Sequence, residues 1–250
     1  AGIACRIEEF PAEVEEGVLA DAIRALGTDE GVHGILVFRP LPPHIDAARI
    51  SRAVEPSKDV DGMNPENSAR LYTGDPKALV PCTPLAVLAI LRHYGIPLAG
   101  AEAVVVNRSP VLGKPRAMLL LRENATVTLC HSATRDLAAV TRRADIVVTG
   151  IGKAGFFTEE YFKEGSIALD VGINFDEEGL CGDLDRRLTE AEGAGTGGPR
   201  PDNGIEGRGP GAATPVPGGV GAVTSALLLA NLLKALADSH PGDSNPAEAD

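Results

Sequence analysis

The chain has 250 residues, of which 44% are hydrophobic and 23% are charged, and its formal net charge is −12. This composition is typical of a globular protein with one or two domains and excludes an intrinsically disordered chain. The acidic balance and the lack of clustered Lys and Arg argue against a nucleic-acid partner, because phosphate binding requires concentrated positive charge.

Two further classes are disfavoured by the distribution of apolar residues and cysteines. No uninterrupted apolar stretch reaches membrane-spanning length, and residues 1–6 lack the form of a signal peptide. The four cysteines lie far apart without C-x-x-C spacing, so the sequence indicates neither a zinc site nor a disulfide framework. We therefore expect a cytoplasmic protein with reduced thiols, no metal site and no membrane partner.

The first third of the chain predicts a helix at about Glu13–Leu26, a strand at Gly34–Phe38 and then an unusual loop, PSKDVDGMNPEN, at Pro56–Asn67. Regular structure does not require such a string. The ionised carboxylates of Asp59 and Asp61 offer paired acceptors that suit a ligand edge with adjacent N–H donors, such as an amino-pyrimidinone ring. A solvated turn is the alternative, since Asp, Gly, Asn and Pro are the usual residues of turns.

The middle of the chain alternates apolar runs with segments of helical length. Thr83 and Pro84 predict the N-cap and first position of a helix that runs to Tyr94, with Gly95 as its stop. Four later runs predict strands that are buried on both faces, as in a parallel sheet: Ala103–Asn107, Thr126–Cys130, Asp145–Thr149 and Ser166–Val171. Each segment between them is long enough for a crossover helix. The pattern predicts a βαβαβ unit whose first turn receives a dinucleotide pyrophosphate.

That turn reads NRSPVLGKP, from Asn107 to Pro115, and departs from the usual G-x-G-x-x-G. With one glycine, Gly113, and the Ser109 hydroxyl, it can still offer donors at a helix start. Asn107 tolerates left-handed backbone angles better than most residues. A plain connection between strand and helix is the alternative.

The end of the second strand bears on cofactor choice. NAD-selective folds usually place Asp or Glu there, but this strand ends in Cys130, His131 and Ser132. Ser132 can hydrogen-bond a phosphate, and Arg108 on the neighbouring turn is a possible bidentate partner. These residues favour NADP over NAD, whereas a solvated Arg108 and a packed His131 are the structural alternatives.

The last quarter contains a Gly- and Pro-rich stretch at Gly193–Ala213, interpreted as a disordered insertion. It is followed by TPVPGGVGAVT at Thr214–Thr224, whose glycines allow the backbone to approach a flat ring. Val223–Leu236 predicts an apolar helix, and 241–250 a disordered tail.

Taken in order, these segments resemble the bifunctional methylenetetrahydrofolate dehydrogenase/methenyltetrahydrofolate cyclohydrolase family from Ala1 to about His240. The resemblance rests on GVHGILVFRPLPPHID, PSKDVDGMNPEN, VPCTPLAVLAIL, VVVNRSPVLGKP, ENATVTLCHSAT, ADIVVTGIGKAGF, GSIALDVGIN and TPVPGGVGAVT. It implies an α/β protein with two domains and a homodimer. Residues 1–82 would form a folate-binding catalytic domain, 83–215 a Rossmann-like NAD(P) domain, and 216–240 a loop and helix that return to the first domain.

The resemblance also implies an activity and its residues. The expected reaction oxidises 5,10-methylenetetrahydrofolate with NADP and hydrolyses the product to 10-formyltetrahydrofolate, so tetrahydrofolate one-carbon derivatives are the expected partners. Asp61 would grip the pterin ring, in a loop shaped by Lys58 and Asp59. The remaining site residues implied are Pro217, Gly218 and Gly219 for substrate, and Asn107, Arg108, Ser109, Gly113, Ser132, Ile173 and Gly219 for the cofactor.

Two departures from the family affect the chemistry. Members of the family carry, ahead of the segment that Ala1 begins, a Tyr-x-x-x-Lys helix whose lysine is the general acid/base. In addition, Phe38 stands where the family has a glutamine, and phenylalanine cannot make its hydrogen bond. Residues 1–250 alone are therefore expected to catalyse little. The alternative interpretation is a truncated or degenerate paralogue that binds dinucleotide or folate, or dimerises, without turnover.

Overall fold

The computed structural model describes residues 2–189 and 209–239. Most of the Gly- and Pro-rich stretch and the whole C-terminal tail, for which disorder was predicted, lie outside the described residues. The helices are α1 (Glu16–Thr28), α2 (Ala47–Ala53), α3 (Pro65–Thr73), α4 (Cys82–His93), α5 (Gly113–Arg122), α6 (Leu137–Thr141) and α7 (Val220–Ser239). The strands are β1 (Glu102–Val106), β2 (Thr126–Cys130), β3 (Ile146–Thr149), β4 (Ile167–Asp170), β5 (Asn174–Asp176), β6 (Gly179–Cys181) and β7 (Ala212–Ala213).

The predicted parallel sheet is confirmed, with strand order β2-β1-β3-β4-β7. In register, Val106 of β1 lies beside Cys130 of β2 and Thr149 of β3, so the carboxyl ends of three strands meet at one edge. Strands β1, β3 and β4 are buried almost throughout. The expectation that all four strands are buried on both faces is wrong for β2, because it is the edge strand and alternate side chains reach solvent.

The crossover segments differ more than their similar lengths predicted. Helix α5 has 10 residues, α6 has only 5, and the third segment contains a single 3-10 turn at Glu159–Tyr161. The third segment is extended at Phe157 because Phe157 pairs with the chain at residues 183–185, donating to the Asp183 carbonyl and accepting from the Asp185 N–H. Full burial of the Phe157 ring then fixes this course. A crossover helix here is therefore a wrong prediction.

The N-terminal region is built from helices and loops. Helix α1 is present where a helix was predicted, but the strand at Gly34–Phe38 is reduced to one parallel bridge between Ile35 and Asp59. The Ile35 N–H donates to the Lys58 carbonyl at 2.7 Å, after which the partner chain turns away at Gly62. A strand needs a neighbour along its length, and this neighbour is lost after one residue pair.

Helix α4 starts earlier than its capping signal predicted. The helix begins at Cys82 with Pro81 as the N-cap residue, and no side chain caps it, so Thr83 lies inside the first turn. The start is set by the tight contact of the 79–81 backbone with Gly62, which already places Cys82 at the helix entrance. The predicted end is confirmed, since Gly95 adopts a left-handed φ of +63° after Tyr94.

Helix α7 corrects an expectation about apolar length. Its 20 residues are long and apolar enough to cross a membrane, by length and composition, and only 17% of that apolar stretch is buried. In this structure the helix packs along α4, and Asn231 donates from its side chain to the carbonyls of Val60 and Val80, both at 2.8 Å. Such contacts hold α7 against the region that precedes the sheet.

Candidate active site

The loop that contains both aspartates is held by a buried carboxylate. Asp59 is 2% exposed and accepts hydrogen bonds from the Asn64 N–H at 2.7 Å and from the Asn67 side chain at 3.0 Å. Burial raises the pKa of Asp59, and these hydrogen bonds oppose the rise. Lys58 points elsewhere, since its ammonium donates to the Asp29 carbonyl at 2.8 Å. Asp59 and Lys58 therefore fix the loop, as predicted, and leave Asp61 to face a cavity.

Asp61 lies at the wall of a cavity of about 240 Å³. The turn is tight because Gly62 has φ +62° and a Cβ added there would lie 2.6 Å from the Leu79 carbonyl oxygen. Burial and then the charge of Asp59 raise the pKa of Asp61, while hydrogen bonds from Cys82 oppose the rise. The cavity is lined by Leu36, Val37, Phe38, Arg39, Asp61, Cys82, Thr224, Ser225 and Leu228.

Cys82 joins three segments beneath this cavity. Its thiol donates to the Val60 carbonyl at 3.4 Å and lies 3.5 Å from the side-chain nitrogen of Asn231. Burial, followed by the negative charge of Asp61, raises the pKa of the Cys82 thiol to about 12. The thiol is therefore protonated at neutral pH and acts as a hydrogen-bond donor rather than as a nucleophile.

Two neighbouring residues give the cavity an apolar side and a cationic side. Phe38 is 77% exposed and presents its ring to the cavity, where the resemblance implied a glutamine in other members. Arg39, which sequence reasoning did not single out, donates to the Ser51 hydroxyl at 2.7 Å. Its positive charge also lowers the pKa of Asp61 against the larger effect of burial. A cation within a run of apolar and proline residues was the available sequence signal for Arg39.

The turn after β1 is organised by side-chain hydrogen bonds. The Asn107 side chain accepts from the Ser109 N–H at 2.7 Å and donates to the Gly150 carbonyl at 2.5 Å, and the Ser109 hydroxyl accepts from the Leu112 N–H at 3.0 Å. Asn107 does not use left-handed backbone angles, so that explanation of its presence is wrong. Asn107 instead ties the turn of β1 to the end of β3.

Gly113 is required by packing at the start of α5. A Cβ added there would overlap the carbonyl oxygen of Asn107, well inside van der Waals contact. The strand end and the helix start therefore approach as closely as a dinucleotide turn requires. Arg116, on the same helix, is fully buried, and its guanidinium nitrogens have no hydrogen-bond partner within residues 2–189 and 209–239. The close backbone packing at Gly113 and the buried charge of Arg116 both suit the binding of an anionic group at this end of α5.

The other predicted cofactor residues lie at the carboxyl edge of the sheet. Arg108 follows β1 and Ser132 follows β2, and both are exposed. Because β1 and β2 are adjacent and in register, these two residues share one edge. Ile173 follows β4 at the same edge and is 71% exposed. His131 is partly buried, and its ring nitrogen accepts from the Ala133 N–H at 3.2 Å, as the packed alternative predicted.

The glycine loop at 214–219 connects the sheet with the Asp61 cavity. It follows β7, where the Thr214 hydroxyl accepts from the Asp170 N–H at 2.8 Å, and it leads into α7. Pro217 and Gly218 are exposed, and Gly218 has φ +97°. A Cβ on Gly219 would overlap the Pro215 carbonyl oxygen, so this turn is also close-packed. Helix α7 then carries Thr224 and Ser225 to the cavity wall.

A buried aspartate supports the loop after β3 and was missed by sequence reasoning. Asp183 is 0% exposed and accepts from the N–H groups of Ile151 at 2.5 Å and Lys153 at 2.9 Å, and from the Asn174 side chain at 2.9 Å. It therefore holds the loop that follows Gly150. Within residues 2–189 and 209–239, no group of three or more His, Cys, Asp or Glu side chains is arranged to hold a metal ion.

Comparisons with known proteins cover both regions. The chain matches family models described as the tetrahydrofolate dehydrogenase/cyclohydrolase catalytic domain, over residues 1–61, and its NAD(P)-binding domain, over 81–204. It is 46% identical over 234 residues to the bifunctional protein FolD of Thermus thermophilus, covering 94% of this chain and 76% of the relative. The corresponding protein of Alkaliphilus oremlandii is 43% identical over 240 residues, covering 96% and 78%.

Solved structures agree with these matches. The FolD methylenetetrahydrofolate dehydrogenase/cyclohydrolase of Campylobacter jejuni has a TM-score of 0.81 at 38% identity, covering 91% of this chain and 75% of that one. The enzyme of Trypanosoma brucei, solved with NADP cofactor and an inhibitor, has a TM-score of 0.77 at 36% identity, covering 92% and 75%.

Proposed function

The chain belongs to the tetrahydrofolate dehydrogenase/cyclohydrolase family, and we propose that it oxidises 5,10-methylenetetrahydrofolate with NADP and hydrolyses the methenyl product to 10-formyltetrahydrofolate. The observation that carries this proposal is the position of Asp61. Its carboxylate lies at the wall of a cavity whose other side is formed by α7, the helix that follows the glycine loop of the sheet. Along the chain, the loop at 214–219 thus leads from the sheet to the helix that lines this cavity.

Asp61 recognises the pterin edge in this proposal. Among the described residues that line the cavity, it is the single carboxylate, so it is the natural partner of adjacent N–H donors. The ionised form is the acceptor-only form, and hydrogen bonds from Cys82 favour it against burial. Pro217, Gly218 and Gly219 would bound the same space from the loop side. Their contribution is shape, because glycine permits close approach of the backbone to a flat ring.

The residues of this chain act chiefly by positioning. When bound, NADP supplies the hydride acceptor. The parallel sheet and the turn at 107–113 orient it, and the Asp61 loop orients the folate, so that two reactants meet in one geometry. The Cys82 thiol, with its pKa raised to about 12, is excluded as the base of the hydrolytic step at neutral pH.

The preference for NADP rests on the carboxyl edge of the sheet. No acidic residue stands at 131–135, directly after β2, whereas Arg108 and Ser132 are exposed on adjacent strand ends. A 2′-phosphate would meet a cation and a hydroxyl there, without repulsion from a carboxylate. Asn107, Ser109, Gly113 and Ile173 complete the proposed cofactor site. Asn107 and Ser109 contribute by ordering the turn.

We further propose a division into residues 1–82, 83–215 and 216–240, a cytoplasmic location and a homodimer. The second region contains the whole parallel sheet, which supports its treatment as one unit. Phe175, 79% exposed on the β5–β6 hairpin, is an apolar side chain that a second copy would cover. Light scattering coupled to size-exclusion chromatography measures the oligomeric state directly.

The central test is Asp61→Asn. This change replaces an acceptor by a donor and leaves N–H facing N–H, so we expect folate affinity to fall about tenfold to a hundredfold while NADP affinity is unchanged. Isothermal titration with tetrahydrofolate and with NADP separates the two. Asp21→Asn, at an exposed position on α1, is the matched control. Equal weakening of both ligands would show that the loop is only structural.

Phe38 favours a second candidate, a member that binds both ligands without turnover. The ring occupies the cavity wall where a polar contact was expected. Phe38→Gln discriminates the two, with methylenetetrahydrofolate-dependent reduction of NADP as the measurement. If the unmodified protein turns over and Phe38→Gln changes the rate less than about tenfold, the enzyme proposal stands. Turnover that appears only in Phe38→Gln, or in neither protein while both ligands still bind, would instead support the binding-only protein.

A further inference from the structure

Arg116 is the one buried polar side chain that the fold leaves without a partner among the described residues. Its side chain is 0% exposed, and Nε, Nη1 and Nη2 make no hydrogen bond. Other buried charged groups in this molecule are treated differently, since Asp59, Asp170 and Asp183 each accept at least two hydrogen bonds. A guanidinium has five donors and no acceptor, so its isolation is a specific feature of this site.

Isolation of this cation destabilises the ligand-free protein. Burial lowers the pKa of Arg116 only to about 10, so the side chain is still charged at neutral pH. A buried charge without a partner is costly, and an apolar side chain of similar volume in its place is often more stabilising. Arg116 is therefore difficult to explain as a core residue alone.

The position of the guanidinium points to the end of α5 where an anion would bind. Arg116 is the fourth residue of α5, and side chains in a helix lean toward its N-terminus. Its Nη1 lies 3.6 Å from the position of a Cβ on Gly150, at the carboxyl end of β3. The Gly150 carbonyl in turn accepts from Asn107 in the β1–α5 turn. Arg116 thus lies directly beneath the junction of that turn and β3.

This junction is the switch point of the sheet. The chain leaves β1 for β2 on one side and reaches β3 on the other, which is where nucleotide phosphates bind in open parallel sheets. The positive end of the α5 dipole faces the same place, and α5 has 10 residues. Charge interactions are strong in a low-dielectric interior, so a cation beneath the turn acts without being exposed.

We propose that Arg116 is the buried counter-charge of the dinucleotide pyrophosphate, and that it couples cofactor binding to the stability of the fold. This inference rests on the proposed dinucleotide site but not on the folate reaction. The ligand-free protein holds an uncompensated cation, and the bound pyrophosphate compensates it. Arg116 is therefore a positioning residue that acts through its field, in addition to the exposed Arg108.

The test compares Arg116→Met with Arg116→Lys in the full chain. We expect Arg116→Met to raise the melting temperature of the ligand-free protein, because it removes the buried charge and keeps the volume. The same change should weaken NADP binding about tenfold or more, and should weaken competition by inorganic pyrophosphate to the same extent. Arg116→Lys keeps the charge and should bind NADP within about threefold of the unmodified protein. Arg122→Met, exposed at the other end of α5, is the control and should change neither quantity.

Opposite changes in stability and affinity distinguish this role from a structural one. If Arg116→Met raises the melting temperature and leaves NADP binding unchanged, or lowers the melting temperature, the inference is overturned. The measurements contain no folate, so a failure of the Asp61 experiment leaves them intact. Conversely, if the unmodified protein turns over normally and Arg116→Met binds NADP as tightly as it does, only this inference is overturned and the proposed function stands.

Discussion

The loop that contains Asp59 and the turn that contains Gly113 are stabilised in different ways. On the proposed folate side, the buried Asp59 carboxylate accepts hydrogen bonds from the Asn64 N–H and from the Asn67 side chain. On the proposed dinucleotide side, the backbone segments at Asn107 and Gly113 are in close contact, and predicted ligand-binding side chains such as Arg108 are exposed. We therefore expect the loss of a polar atom at Asp59 to weaken the first region and the addition of a carbon atom at Gly113 to weaken the second.

The largest effect should come from adding one carbon on the dinucleotide side. Gly113→Ala places a Cβ on the Asn107 carbonyl, so the strand and helix must separate, and we expect a loss of about 3 kcal/mol or more in the free energy of unfolding. NADP binding should be lost with it. Gly17→Ala in α1 is the matched control, because nothing lies within 4 Å of its added Cβ. Chemical denaturation of both variants checks this, and an unaffected Gly113→Ala would contradict the close packing.

A somewhat smaller effect should follow from removing a carboxylate on the folate side. Asp59→Ala leaves the Asn64 N–H and the Asn67 amide without their acceptor, and we expect a loss of about 2–3 kcal/mol in the free energy of unfolding. Folate binding should weaken more than NADP binding, since Asp59, Asn64 and Asn67 hold the loop that carries Asp61 and lie outside the sheet. Asp21→Ala, at an exposed position of α1, should lower the free energy of unfolding by less than about 1 kcal/mol. Comparable losses of unfolding free energy in Asp59→Ala and Asp21→Ala would show that the buried hydrogen bonds of Asp59 do not stabilise this region.

Removal of an exposed cation should change the selectivity between NADP and NAD and should leave the free energy of unfolding unchanged. Arg108→Ala should narrow the free-energy difference between NADP and NAD binding by about 1–3 kcal/mol, because a charged donor to the 2′-phosphate is lost. Titration with both cofactors measures this difference. Arg122→Ala is a matched exposed change on α5 and should leave it unaltered. Equal affinities for NADP and NAD in the unmodified protein would contradict the assignment.

The smallest effects concern the pH dependence of the free energy of unfolding. The slopes that Asp61 and Asp145 contribute should have opposite signs. Burial raises the folded pKa of Asp61 above the ordinary value of 3.8. The contribution of Asp61 to stability is therefore lost as pH rises through the folded pKa. Asp61→Asn should thus become more stable, relative to the unmodified protein, as pH rises above about 3.8. The hydrogen bond from Lys163 lowers the pKa of Asp145 beside the sheet. Its contribution is present above about 3.8 and lost as pH falls, so Asp145→Asn should lose relative stability as pH rises.

Denaturation of both variants and the unmodified protein across the acidic range measures these slopes. Slopes of the same sign would show that burial does not dominate at Asp61.

The sequence by itself determined the features that local pattern encodes. Unbroken apolar runs predicted β1, β3 and β4, because strands covered on both faces need no polar alternation. Gly113 could be selected from its place in a strand-to-helix turn. Asp59 and Asp61 could be selected because their loop, PSKDVDGMNPEN, has a sequence that neither a helix nor a strand requires. The family resemblance then supplied the function that we propose for these residues.

Only the tertiary structure decided which polar groups are buried and what they meet. The strand expected at Gly34–Phe38 failed because its neighbour departs after one bridge, and the cap expected at Thr83 failed because contact with Gly62 fixes an earlier start. Asn231 reaches Val60 across 171 positions. Arg116 is buried without a hydrogen-bond partner in the described part of the chain. Such outcomes depend on distances between segments remote in the chain, and periodicity carries no information about those distances.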